Sequence, residues 1–192
     1  MTAAGVSYAE AREALAEVLV PGSVEHCERV AQESARLARA YGLDEERARL
    51  AGLLHDWCRD ADDPDLLAAA ARLKVPITET DRRRPYLLHA RVAAAELEER
   101  FPGLDADVLE AIGAHTLGEM GMGPLAEAVY VADMIEPARA WHGVEELRSA
   151  VGVSTLGELF ARALARTLGH VIARGRPIHP TALAVWNSIA GR

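Results

Sequence analysis

The chain has 192 residues, enough for one domain with a substantial core. Hydrophobic residues, chiefly Ala and Leu, make up 50% of it and aromatics 5%, a balance that favours packed helices over sheets, so the expected class is all-α. A net charge of -8 and a pI near 5.4, with no long basic stripe, exclude a nucleic-acid binder that works by broad phosphate neutralisation.

Ser7-Tyr8-Ala9-Glu10 reads as a capping box opening a helix that runs to about Val20, where Pro21-Gly22 stops it. Ser23 is the expected cap of a second helix, in which Cys27, Val30, Ala31, Ser34, Leu37, Ala38 and Tyr41 recur at helical spacing before Gly42. His26 lies near the azimuth of Val30 and Leu37, on the inward edge. Asp44 caps a third helix, whose apolar face leads through Leu50, Leu53 and Leu54 to the adjacent pair His55-Asp56. Asp63-Pro64 opens a short helix to about Lys74. Val75-Pro76 and Arg82-Arg83-Arg84-Pro85 then form a connection, whose basic cluster reads either as a solvated loop or as a lip that attracts polyphosphate. From Tyr86 a helix carries His89, Val92, Ala93 and Leu97 towards Phe101; Asp105 caps the next, which ends near His115. Pro124 begins a helix bearing Val129, Ala132, Asp133 and Glu136 before Pro137. Residues 144–192 read as two or three helices broken at Gly152 and at Gly175-Arg176-Pro177, with Thr181 as the last cap. No repeat or linker interrupts the chain, which predicts a single domain over 1–192 with these late helices packed on the same unit.

In chain order His26, His55-Asp56, His89, His115 and Asp133 spell H…HD…H…H…D, enough nitrogen and carboxylate donors for two metal ions. A charged Asp56 at the end of an apolar run is costly unless a cation or a full set of hydrogen bonds compensates it. Adjacent helical side chains point about 100° apart, so Asp56 can span two ions while His55 binds one. A donor set without thiolates favours iron or manganese, with cobalt or zinc as alternatives. Two such ions, typically ~3.5–4 Å apart, generate hydroxide near neutral pH and offset charge in an in-line phosphoryl transfer. Cys27 and Cys58 read as small buried apolar residues, with a thiolate ligand as the lesser alternative. Glu136 reads equally as a group orienting a ligand or Arg139 and as an intrahelical or surface ion pair, while His142 and His170 read as structural and His179 has no obvious place in the cluster. The N-terminal Met1-Thr2-Ala3-Ala4-Gly5 lacks the basic flank and apolar core of a signal peptide, and no apolar run reaches spanning length, so a cytoplasmic location without a membrane partner is expected.

The stretches Leu53-Leu54-His55-Asp56 and His115-Thr116-Leu117-Gly118, Met122, the segment Val129-Tyr130-Val131-Ala132-Asp133-Met134-Ile135-Glu136-Pro137-Ala138-Arg139, and Ile178-His179-Pro180-Thr181 with Asn187 carry a resemblance. Across most of its length the chain resembles the HD-domain metal-dependent phosphohydrolase superfamily, and more narrowly its YqeK-type branch of symmetrical bis(5'-nucleosyl)-tetraphosphatases. That resemblance implies a compact all-helical HD-domain fold and a di-iron-like centre. It also implies hydrolysis of diadenosine tetraphosphate, a small-molecule dinucleoside polyphosphate, into two ADP through a hydroxide bridging the metals. Carried over by position, His26, His55, Asp56 and Asp133 would hold one ion and Asp56, His89 and His115 the other, while Thr116, Gly118, Arg139 and Asn187 would line or support the phosphate and nucleoside pocket. For Thr116 and Gly118 the alternative is a helix-ending turn, and for Asn187 a surface cap. Arg59 joins Asp56 as a catalytic candidate; it stands where many relatives have Lys, and being permanently protonated it clamps phosphate but is a poor proton donor. Ser23 stands where relatives often have Arg, and Gly123 where a hydroxyl residue often follows Met. A homodimer is the partner the resemblance suggests. The alternative functions are hydrolysis of other nucleotides or phosphate esters, and nucleotide binding with weak catalysis.

Overall fold

The computed structural model describes residues 5–190, among which it forms eleven α-helices, one 3₁₀ turn and no strand. Helix α1 (Tyr8–Val18) starts at a complete capping box in which the Ser7 hydroxyl accepts from the Glu10 amide and the Glu10 carboxylate from the Ser7 amide. Helix α2 (Pro21–Tyr41) begins earlier than its sequence suggests. Pro21 occupies its first turn, where the amide it lacks would be unpaired anyway, and Ser23 lies inside the helix with its hydroxyl donating to Asp60 at 3.0 Å. Gly42 closes α2 in the left-handed conformation, φ 70°.

Helix α3 (Glu45–Leu54) is capped by Asp44, which accepts from the Glu46 and Arg47 amides. It lies so close to α2 that a Cβ on Gly52 would meet the Ala31 Cα and the Val30 carbonyl oxygen, each at 2.9 Å; a side chain there would push the helices apart. Helix α4 (Asp63–Arg72) is capped by Asp62, one residue earlier than expected. The connection that follows is more ordered than its composition indicates, because Thr78 and Asp81 form a capping box that opens the short α5 (Glu79–Arg83). A 3₁₀ turn (Pro85–Leu88) then leads into α6 (His89–Arg100), so the regular helix starts at His89 and not at Tyr86.

The remaining helices are α7 (Ala106–Ala114), α8 (Pro124–Ile135), α9 (Val144–Ala150), α10 (Leu156–Ala173) and α11 (Pro180–Ile189). Asp105 makes no side-chain cap for α7 and pairs instead with Arg47 at 3.0 Å. The last helix is capped by His179, whose Nδ1 accepts from the Thr181 amide at 3.1 Å, which leaves Thr181 inside the helix and not at its cap. No helix among the described residues is long and apolar enough to cross a membrane.

Two apolar clusters hold these helices. One joins α1, α3, α4, α6 and α7 through residues such as Leu15, Leu53, Leu97 and Ile112; the other joins α8 to α11 through Val131, Ile135, Leu159 and Leu164. Each fully buried Leu or Ile contributes roughly 1.5–3 kcal/mol. Helices α2 and α8 face both clusters, with Ala31 and Val129 in the first and Val30 and Tyr130 in the second. The polar residues of the next section collect along the seam between them.

Candidate metal centre

Five elements converge on the seam. His26 comes from α2, His55 and Asp56 from the C-terminal end of α3, His89 from the first turn of α6, His115 from the C-cap of α7 and Asp133 from inside α8. All four histidines and Asp56 are buried. Three of the five elements contribute from helix ends, where backbone carbonyls lie within reach of side chains, and α2 and α8 contribute from within the helix.

Those carbonyls set the histidine tautomers. The Nδ1 of His55 lies 2.8 Å from the Gly52 carbonyl oxygen, that of His89 2.6 Å from Tyr86 and that of His115 2.8 Å from Ile112, each three residues back in the chain. A carbonyl only accepts, so each Nδ1 carries the proton and donates it, and each Nε2 presents its lone pair inward. His26 does the same with a carboxylate, its Nδ1 lying 3.2 Å from Glu136 Oε1. Glu136 is buried, and its other oxygen accepts from Arg29 at 2.8 Å and from the Ala138 amide at 2.7 Å. Burial raises its pKa, but the Ala138 amide, Arg29 and His26 outweigh that and hold it below the usual carboxylate range. Glu136 thus contacts His26 and also forms ion pairs, with Arg29 at 2.8 Å and with Arg139 at 3.8 Å, so features of both readings that the sequence leaves for it are present.

Asp56 stands in the middle. Its Oδ2 faces His55 Nε2 at 3.2 Å and His26 Nε2 at 3.5 Å, while its Oδ1 faces His89 Nε2 at 3.2 Å and His115 Nε2 at 3.4 Å. Asp133 Oδ1 completes the first side, 3.0 Å from His26 Nε2 and 3.9 Å from His55 Nε2. Two groups of converging donors result, His26-His55-Asp56 and Asp56-His89-His115, and neither includes a cysteine. Cys58 donates to Glu96 at 3.4 Å, away from the centre, and burial together with the Glu96 charge pushes its thiol far above the usual range, so it is no thiolate.

These donors fit metal ions better than protons. His26 Nε2 and His55 Nε2 are buried with no hydrogen-bond partner, although carboxylate oxygens lie 3.0–3.5 Å away; with the proton on Nδ1, an Nε2 lone pair and a carboxylate oxygen are both acceptors. On the other side the Nε2 atoms of His89 and His115 are 3.1 Å apart with both protons committed elsewhere, a repulsion between lone pairs that a cation placed there relieves. Without such an ion, charge holds the site together. Burial opposes ionisation throughout, but Asp56 raises His55 well above the usual imidazole value, and the surrounding histidines hold Asp56 well below the usual carboxylate value. His115, where burial dominates, is lowered.

A cleft of about 230 Å³ opens onto this cluster. Arg59 and Arg139 line it, the first paired with Asp56 and the second with Asp133. Thr116 also lines it, its hydroxyl 3.2 Å from His89 Nε2 and 3.1 Å from His115 Nε2. The other predicted pocket residues are placed elsewhere. Gly118 turns the chain at φ 71°, and a Cβ there would press on Val185 Cγ1 at 3.2 Å; neither residue lines the cleft. Asn187 is exposed on α11 and is not among the lining residues, as a surface position and not a pocket contact. The Arg82–Arg84 cluster is likewise outside the lining, with Arg83 paired to Glu79 in the exposed face of α5. Conversely, Tyr86, Tyr130, Met134 and Thr167 line the cleft, though none is among the pocket residues that the resemblance implies. Tyr130 lies one turn before Asp133 on the same helix, a spacing that would have revealed it; Thr167 comes from α10 and is brought there only by packing.

The sequence profile of the HD domain family matches residues 23–138, from the start of α2 to just past Glu136. The symmetrical bis(5'-nucleosyl)-tetraphosphatase of Bacillus subtilis is 31% identical over 84% of this chain and 86% of its own length. The protein of the same name from Halalkalibacterium halodurans is 31% identical over 86% of this chain and 87% of its own length. Among solved structures, a predicted HD superfamily hydrolase involved in NAD metabolism from Clostridium acetobutylicum superposes with a TM-score of 0.89 at 31% identity, covering 96% of this chain and 97% of that one.

Proposed function

The chain belongs to the HD domain family, and from that premise we propose that it is a metal-dependent hydrolase that splits diadenosine tetraphosphate symmetrically into two ADP. The observation that carries this reading is a centre in which Asp56 turns one oxygen to each of two histidine pairs, in a chain matched over most of its length by relatives named for that reaction. The unit of function we infer is the single domain of 1–192, in which α10 contributes Thr167 to the cleft wall.

His26, His55, Asp56 and Asp133 would hold one cation and Asp56, His89 and His115 the second, with iron favoured and manganese, cobalt or zinc as alternatives. A metal pair supplies Lewis acidity towards a phosphoryl oxygen and acidifies a water. The chain's own residues do the rest. The Nδ1 contacts fix the imidazole rings before any ligand arrives, so no reorganisation is needed at the moment of reaction. Arg59 and Arg139 face the cleft as permanent cations, able to hold phosphoryl oxygens through paired N–H groups but without a proton to give a leaving group. Thr116 adds a neutral donor beside them.

Protein loaded anaerobically with iron, and in parallel with manganese or cobalt, should convert diadenosine tetraphosphate to ADP as the sole nucleotide product. AMP plus ATP would refute symmetrical cleavage. A second reading, hydrolysis of other nucleotides or phosphate esters, is supported by the size of the cleft, about 230 Å³. That is below the roughly 300–1,000 Å³ of pockets that enclose a whole small ligand, so the enclosed part grips phosphate more than base. A panel of dinucleoside polyphosphates, mononucleotides and simple phosphate esters separates the two by relative kcat/KM.

A further inference from the structure

The two sides of the centre differ in ways that their ligand lists do not convey. On the side of His26, His55 and Asp133, two buried Nε2 atoms have no hydrogen-bond partner, and two carboxylates, Asp56 and Asp133, face them. On the side of His89 and His115, Asp56 is the one carboxylate, and the Thr116 hydroxyl lies within 3.2 Å of both Nε2 atoms, a neutral partner to fall back on. The outer partners differ as well: three histidines give their Nδ1 proton to neutral backbone carbonyls, whereas His26 gives it to the Glu136 carboxylate. A carboxylate behind an imidazole makes its far nitrogen a stronger donor to a cation. Glu136 is itself held by Arg29 and the Ala138 amide, so it cannot swing away from His26.

We propose that Glu136 is a positioning residue that makes the two cation positions unequal, so that the position formed by His26, His55, Asp56 and Asp133 fills first and keeps its ion when the His89–His115 position gives its ion up. This rests on the reading of the centre as a two-cation site. It assigns the second position as the exchangeable one, with the Thr116 hydroxyl donating its one proton to either of the two imidazole nitrogens when the ion leaves.

Cobalt(II) is the probe, because its binding is followed by visible absorption and by equilibrium dialysis against a chelator, both independent of turnover. Metal-free wild-type protein should take up two equivalents in two steps separated by at least about tenfold. Loss of an outer-shell partner typically costs 10–100-fold in metal affinity, so Glu136→Gln should weaken the tight step by about that factor and leave the weak step in place. Glu136→Asp, which keeps the charge, should lie between the two. His89→Asn should remove the weak step and leave the tight one, which tests the inequality even if the Glu136 variants do not fold. Two equal steps in the wild type, loss of the tight step in His89→Asn, or a folded Glu136→Gln with unchanged tight binding would overturn the proposal. Uptake of no metal at all would instead overturn the two-cation reading on which it stands.

Discussion

Asp56 and Asp81 are both buried carboxylates with an arginine and histidine beside them, and the histidines of the two carry opposite tautomers. Around Asp81 every neighbour donates. The Thr78 amide and hydroxyl each reach one oxygen at 2.8 Å, Arg91 reaches the other at 2.6 Å, and His179 Nε2 lies 3.3 Å from it. His179 uses its Nδ1 to accept from the Thr181 amide, so its proton sits on Nε2 and points at Asp81 and Thr78. Around Asp56 the same side chain appears four times in the other tautomer, with Nδ1 donating outward and the lone pair pointing in. One carboxylate is therefore satisfied by the chain itself and ties α5, α6 and α11 together; the other has one side-chain donor, Arg59, and four imidazole lone pairs converging on it that a cation would satisfy. The direction of a single proton on each imidazole separates architecture from chemistry here.

The largest effect should come from breaking the Asp56 side of this contrast. Asp56→Asn replaces one of the two carboxylate oxygens with which Asp56 faces the two cation positions and removes the charge they share, and activity should fall by about three orders of magnitude or more, since metal charge stabilisation is worth several kcal/mol of barrier; metal analysis should find the protein depleted at both positions. Two retained equivalents would show that Asp56 is not shared. Asp81→Asn should do the reverse. Leaving Arg91 and the Thr78 donors without their carboxylate should cost about 3 kcal/mol in denaturant unfolding, while metal stoichiometry stays as in the wild type.

Acid sharpens the contrast further. Burial raises the pKa of Asp81, but the Thr78 hydrogen bonds, Arg91 and His179 outweigh it and hold the group below its usual value. Its stabilising contribution is thus fully present above an unfolded-state pKa of about 3.9 and is lost as pH falls through the lower folded value. The stability gap between wild type and Asp81→Asn should accordingly narrow below about pH 4, measured by thermal unfolding across that range; a gap that widened in acid would contradict the assignment. The smallest effect is expected at the exposed arginines of α5, where Arg82→Ser with Arg83→Ser should change stability by about 0.5 kcal/mol or less and leave KM unaltered. A severalfold rise in KM would restore the reading of this cluster as a lip for polyphosphate.

Most helices were legible because their signals are local. The capping box at Ser7, the cap at Asp44, the stop at Gly42 and the start at Pro124 each need only neighbours in the chain, and each is present. The misreadings are also local, and competition explains them. Ser23 and Thr181 are competent caps that lost to Pro21 and to His179, and the Thr78–Asp81 box lay within a stretch whose Pro and Arg content suggested a plain connection. Of the candidate pocket residues, Thr116 and Arg139 reach the cleft and Asn187 does not, because its position depends on which face α11 turns to the core.

By itself the sequence determined the helical class, the helix periodicities and a complement of imidazole and carboxylate groups too rich to be incidental, since composition, period and spacing are properties of the chain alone. Only the tertiary structure decided that five helices meet at one seam, that Asp56 turns an oxygen to each side, and that Glu136 stands behind one histidine of the four. The reason is physical: a tautomer is set by what lies opposite the ring, and which carbonyl or carboxylate lies there is fixed by the packing of helices far apart in sequence.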